Sequence, residues 1–161
     1  MNRRTTLVSI ALLSLVACTF PQASFAQSDS MSGLWQVNVA KSKYDPGPPP
    51  KSQTVYFQGE GQNRKVTIVG ITATGNPQLA TFTEFVEDGK PHPVTGLAGI
   101  DAQAYTRVDA RTLNVSRFKD GKVIQTGTWI VSPDGKALTV TFTGSNANGR
   151  QVNNILVYDK Q

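Results

Sequence analysis

From Gly33 onward, apolar and polar residues alternate in short runs broken by turn residues every ten or so positions, the pattern of antiparallel strands rather than helices. Trp35, Val37 and Val39 alternate with Gln36 and Asn38, so the first strand is expected to bury one face and wet the other. Further strands are predicted at 53–58, 65–71, 79–86, 93–96, 104–108, 112–118, 123–131, 137–143 and 152–158, ten with the first. Asp88-Gly89, Asp120-Gly121, Asp134-Gly135 and Asn148-Gly149 supply the positive φ angles of tight hairpins, so neighbours in sequence are expected as neighbours in the sheet. Runs 123–131 and 137–143, separated only by 132–136, form the firmest hairpin. The segment 45–50, Asp-Pro-Gly-Pro-Pro-Pro, lacks the amide protons a ladder needs and is expected as an extended, polyproline-like loop. Segments 66–75 and 140–149 echo one another, each a strand, a glycine kink and a hairpin turn; convergent turn chemistry explains this more simply than duplication.

A ten-stranded meander either leaves two exposed edges or closes on itself. The expectation is therefore all-β: a single antiparallel up-and-down β-barrel of about 8–10 strands, spanning 33–161 after a flexible lead-in at 27–32. The length of 161 residues suits one domain. With 39% hydrophobic and 17% charged residues, the chain is too apolar for a disordered tail, and its 14 glycines and 9 prolines are too many for a helix bundle. One cysteine and one histidine exclude a disulfide framework and an ordinary Cys/His zinc site within one chain. No sequence signature calls for a cofactor.

Arg3 and Arg4 precede an apolar run at 7–20, followed by Pro21 and the small-residue step Ser24-Phe25-Ala26. This is the layout of a secretory signal peptide cleaved after Ala26, and the run is too short for a transmembrane helix. The alternative is a lipoprotein signal, because Leu15-Val16-Ala17-Cys18 has the form of a lipobox with Cys18 as the lipid anchor. Either way the mature domain is expected in the periplasm or secreted. The 16 Lys and Arg exceed the 11 Asp and Glu by five; without Arg3 and Arg4 the balance is 14 against 11, too small an excess to imply nucleic acid.

Gly33-Leu34-Trp35 resembles the Gly-x-Trp opening of lipocalins. The chain is also similar to a group of small exported bacterial proteins described as lipocalin-like, of the calycin type, which have no agreed activity. The resembling stretches are 33–35, 38–44 with 46–52, Asp88-Gly89-Lys90 with 93–96, and Val152-Asn153-Asn154 with 157–160. The later lipocalin motifs and the C-terminal lipocalin helix are missing, and a proline loop stands where fatty-acid-binding proteins carry a helical lid. The resemblance implies barrel kinship rather than lipid binding.

Chemistry is sparse. His92, between Pro91 and Pro93, has no Ser, Cys or acidic partner at a motif spacing and is expected in a solvated loop. No nucleophile elbow, zinc-binding helix or phosphate-binding glycine loop is present. Glu60, Asp88, Asp109, Asp120 and Asp134 fall in turns, where carboxylates cap backbone amides. Inside the strands, alternation puts Arg117 on the face of Leu113 and Val115, and Arg107 on the face of Tyr105. Two inward guanidinium groups would favour an anionic ligand, whereas placement on the wet face or at strand ends would make them ordinary surface residues. Trp35, Phe57, Phe82, Tyr105, Trp129, Phe142 and Tyr158 are spread across seven strands, so closure is expected to gather some of them inside, either as packing or as the walls of a pocket. Trp35, Tyr105, Arg107, Arg117, Trp129 and Tyr158 are thus the candidate ligand-binding residues. A non-enzymatic binding barrel for a small apolar or anionic amphipathic molecule is expected, the alternatives being a solid-core structural or protein-interaction module and, with no local catalytic motif to support it, a small envelope enzyme built from loop carboxylates and arginines.

Overall fold

The computed structural model describes residues 29–59 and 64–161. It contains ten antiparallel strands: β1 (Gly33–Val37), β2 (Ser52–Gln58), β3 (Arg64–Ile71), β4 (Pro77–Phe85), β5 (His92–Pro93), β6 (Ala102–Asp109), β7 (Thr112–Lys119), β8 (Lys122–Val131), β9 (Ala137–Ser145) and β10 (Gln151–Lys160). They form one sheet in the order β4-β3-β2-β1-β10-β9-β8-β7-β6-β5. The chain therefore meanders along the sheet from β1 to β4 and from β5 to β10, and β1 joins the two halves by pairing with β10, Trp35 opposite Lys160. The fold is the expected up-and-down barrel, closed except for a narrow seam.

That seam lies between β4 and β5, the two ends of the sheet. Among the described residues, only Thr81 and Thr95 bridge it, exchanging two backbone hydrogen bonds of 3.1 and 3.2 Å. Gly96 is what lets the edges approach: its φ is +78°, and a Cβ there would lie 1.9 Å from the carbonyl oxygen of Leu79. Asp88-Gly89 does not make the tight hairpin that its composition suggests. Asp88 bridges to Thr106 and the Gly89 amide donates to the Tyr105 carbonyl, so the turn crosses to β6 instead of returning beside β4. The other three turns close hairpins, with Asp120 and Gly121 both at positive φ.

The β8–β9 hairpin forms as expected, Val131 opposite Leu138. The two echoing segments share turn bonding as well: the Thr72 amide donates to Asn76 and Gly75 to Thr72, just as Asn146 donates to Arg150 and Gly149 to Asn146. Val39 departs from expectation. Rather than extending β1 with an inward side chain, it is exposed and opens a short 3-10 turn (Val39–Lys41), with the Asn38 carboxamide accepting from the Lys41 amide. The connector then follows β10, Lys43 bridging Ile155 and the Asp45 carbonyl accepting from Asn153. Pro46 to Pro50 stay outside the sheet, as their missing amide protons require.

The inward faces carry the core: Trp35, Phe57, Val66, Phe82, Tyr105, Leu113, Val131, Leu138 and Phe142 are all almost completely buried. The lead-in expected to be flexible is packed in its described part. Met31 is fully buried, its carbonyl accepts from the Trp35 indole at 2.9 Å, and the Ser30 hydroxyl donates to Ala110 at 2.7 Å. Burying an apolar side chain under the barrel gains more than the chain entropy lost on tethering it. The export-signal residues lie outside the described part of the chain.

Candidate functional site

The inward face changes character from one end of the barrel to the other. At the end where β4 and β6 finish and β3 and β7 begin, Met31 and Trp35 form a plug beside an ion cluster. There the Glu87 carboxylate accepts from Arg107 Nε at 2.7 Å and also pairs with Arg64, and Asp29 pairs with Arg64 and, at 3.4 Å, with Arg107. Burial alone would raise the Glu87 carboxyl, but the hydrogen bond from Arg107 and the two positive charges outweigh it and hold the group below its ordinary value. This end is neutralised internally: two carboxylates face two guanidinium groups.

Toward the opposite end lies a cavity of about 250 Å³, walled by Val55, Phe57, Trp129, Val140 and Phe142 and edged by the polar side chains of Gln53, Gln78, Arg117, Asn154 and Tyr158. Over its mouth runs the loop between β5 and β6, from which Leu97, Ala98 and Ile100 contribute lining. The loop touches the β9–β10 turn, since a Cβ on Gly99 would come 2.4 Å from that of Ala147. The mouth is thus covered by this loop instead of a helix.

Arg117 dominates the cavity's electrostatics. Its guanidinium sits 3.4 Å from the centroid of the Phe142 ring, and its Nη1 donates to Gln125 Oε1 at 3.2 Å. Gln125 is itself fixed by a 3.0 Å bond to the Ser145 carbonyl. Among the described residues no carboxylate lies within ion-pair distance of Arg117. Burial pushes its pKa down to about 10, against the opposing influence of the Tyr105 and Tyr158 hydroxyls, so it is still a cation at neutral pH. Burial likewise raises both tyrosines, with Arg117 pulling each the other way. The Tyr158 hydroxyl donates to Gln53 Oε1 at 2.5 Å.

Of the six residues singled out from the sequence, the cavity brings together Arg117, Trp129 and Tyr158. Tyr105 stands behind Trp129, ring centroids 5.4 Å apart, and its hydroxyl donates to Gln103. Trp35 and Arg107 belong to the plugged end. The β6–β7 register explains the separation of the two arginines: Arg107 is opposite Leu113 whereas Gln103 is opposite Arg117, so the two positions are four residues apart along the barrel, about 13 Å at a strand's rise. Both arginines face inward, but only Arg117 faces the cavity. Gln53, Gln103, Gln125 and Asn154 escaped the sequence reading. Strand phase carried a signal for Asn154, which lies between Val152 and Leu156, and for Gln53, which is in phase with Val55 and Phe57, but a register shift between β7 and β8 beside Gln125 hid that position. His92 is not the solvated loop residue expected: it is half-buried on β5, with Nε2 2.9 Å from Asp88 Oδ1. No group of three or more metal-ligating side chains occurs among the described residues.

No family model and no curated protein matches the chain. Among solved structures it is similar to zebrafish ileal bile acid-binding protein in complex with cholic acid, with a TM-score of 0.51, 16% identity, and coverage of 82% of this chain and 99% of that one. At that identity the likeness concerns the fold. The fold class is an up-and-down barrel of ten antiparallel strands around an interior space, and the bile acid-binding protein is a solved structure that shares it.

Proposed function

We propose that the chain is a non-enzymatic, exported binding protein that carries a small amphipathic anion inside its barrel. The observation that carries this reading is Arg117: a cation with no counter-charge among the described residues, lining an otherwise largely apolar cavity. A buried guanidinium is costly unless paired, and an anionic ligand supplies the missing charge while its apolar part covers the aromatic wall. The cavity counts against the alternative of a barrel packed solid. An acid–base enzyme is poorly served among the described residues, since the part-buried carboxylates Asp29 and Glu87 are each paired with arginine and Glu87 is held below its ordinary value, away from the neutral range useful to a general base.

Size narrows the ligand. About 250 Å³ lies between the roughly 150 Å³ of a cavity that accepts benzene and the roughly 300 Å³ at which drug-sized pockets begin. Export rests on Arg3, Arg4 and the apolar run that follows, and places the protein in the cell envelope or outside the cell, released after Ala26 or held by lipid at Cys18.

Native mass spectrometry of protein released gently from its own cells tests both parts. The expected result is a chain beginning at Gln27 or at a lipidated Cys18, with an added mass of one to a few hundred daltons that is lost on denaturation. An unprocessed N-terminus would overturn export. A bare chain that also takes up no added amphipathic anion would overturn the binding role.

A further inference from the structure

Gln53 on β2 and Gln78 on β4 are both register partners of Gly70 on β3, and all three positions fall on the inner face, in phase with the buried Val55, Ile68 and Ala80. The backbones of the two glutamines thus stand about 10 Å apart with no side chain between them. Gly70 keeps that notch open, because a Cβ there would collide with the Ser52 carbonyl. Gln53 Nε2 reaches across it to Gln78 Oε1 at 3.4 Å, beyond the usual span of roughly 2.7–3.2 Å for such a bond. At its other end Gln53 Oε1 accepts the Tyr158 hydroxyl at 2.5 Å. The hydrogen bonds therefore run one way, from Tyr158 through Gln53 to Gln78, with one stretched link. Both glutamines are half-buried and line the cavity, so an occupant reaches them from inside. Arg117 is the only charged side chain among the lining residues, and the notch itself is neutral. A group that enters the stretched link must accept from Gln53 and donate to Gln78. A trans secondary amide does both, with its C=O and N–H on opposite sides of one plane, whereas an ester or ether only accepts.

We propose that the notch over Gly70 takes an amide of the cavity ligand, its C=O accepting from Gln53 Nε2 and its N–H donating to Gln78 Oε1, which makes Gln78 a specificity-determining residue and the ligand an N-acyl amino acid. This rests on the cavity-binding reading above and adds a neutral second group to the anion named there. Tyr158, bonded to Gln53, also lies within electrostatic reach of Arg117. The two polar groups of the ligand therefore belong close together, as they are in an acylated amino acid, and the acyl chain is left to the apolar wall of Val55, Phe57 and Trp129.

The experiment is calorimetric titration of the full chain with N-hexanoylglycine and with nonanoate, which share their length and their carboxylate and differ in that an amide replaces two methylenes. In an apolar passage that exchange weakens binding, since the amide gives up its bonds to water for nothing. With the notch in use, hexanoylglycine is expected to bind several-fold tighter than nonanoate, and Gln78→Leu should reverse that order. Should the variant fail to fold, the wild-type chain still answers: hexanoylglycine, and not nonanoate, should shift the 15N–1H resonances of the Gln53 and Gln78 side-chain amides. Nonanoate binding as tightly as hexanoylglycine, or more tightly, would overturn the amide notch while leaving the cavity reading in place. A preference for hexanoylglycine that survives in Gln78→Leu would remove Gln78 from the site and overturn the proposal as stated. Binding of neither would overturn it and count against the binding role as well.

Discussion

Arg117 sets binding against stability. In the empty barrel its charge has lost water and gained only a carboxamide and an aromatic face, a poor exchange for a guanidinium. Replacing it with a flexible apolar side chain removes that cost, so Arg117→Met is expected to leave the empty protein's Tm unchanged or raise it, by up to about 2 kcal/mol of stability, while sharply weakening anionic ligands. Differential scanning calorimetry with and without octanoate checks both; a Tm several degrees lower in the empty variant would make Arg117 structural. Trp35 is the opposite case. Fully buried and bonded to Met31, it belongs to the plug, and Trp35→Ala should cost about 3–5 kcal/mol, measured by urea unfolding. The inward phase of both residues follows from two-residue alternation. That one end of the barrel is hollow and the other filled does not, because alternation assigns a face without assigning a depth.

Among the elements, the seam between β4 and β5 is the weakest join. Among the described residues one pair of backbone hydrogen bonds holds it, against a ladder of nine residue pairs between β9 and β10, and Gly96 permits that approach through both a positive φ and an absent Cβ. Gly96→Ala is therefore expected to destabilise the protein by more than about 1 kcal/mol and to raise hydrogen exchange at the amides of Thr81 and Thr95 ahead of the other strands. Uniform loss of protection across all ten strands would instead mean that the seam opens only on global unfolding. The strands themselves were legible because turn residues and alternation are local signals. Asp88-Gly89 misled because the same dipeptide that closes a hairpin also turns the chain across a gap, and its immediate neighbours do not distinguish the two. Val39 misled because β1 ends where Asn38 caps a turn, a local competition that alternation does not record.

For the whole molecule, the plugged end contributes to acid stability beside the hydrogen-bonded surface carboxylates Asp88, Asp109, Asp134 and Asp159, which are also held below their ordinary values. Glu87 is held below its ordinary value in the folded chain, so around that pH the unfolded chain binds more protons than the folded one. Its contribution is complete above the unfolded value, about 4.5, and is lost as pH falls through the lower folded value. Thermal unfolding followed from pH 7 to pH 2 should show Tm declining through that window. Glu87→Gln should flatten the decline and, by leaving Arg64 and Arg107 short of a counter-charge, cost about 3 kcal/mol at pH 7. An unchanged acid limb in the variant would place the acid sensitivity elsewhere.

The sequence by itself determined the number and approximate limits of the strands, the hairpin turns other than Asp88-Gly89, the closing of the meander into a barrel, and which residues share a face, Arg107 with Tyr105 and Arg117 with Leu113 and Val115, while leaving open whether the two arginines point inward. These follow from a two-residue period and from the φ angles that Asp-Gly and Asn-Gly supply, both written within a few consecutive positions. Only the tertiary structure decided which arginine meets a carboxylate. Arg107 finds Glu87 and Asp29, 20 and 78 residues away along the chain, because they converge at the end that Met31 plugs. Arg117, four positions further along the same barrel wall, meets a cavity instead. Register, closure and the filling of one end act between strands distant in sequence, and they turn two similar inward arginines into a structural clamp and a candidate binding group.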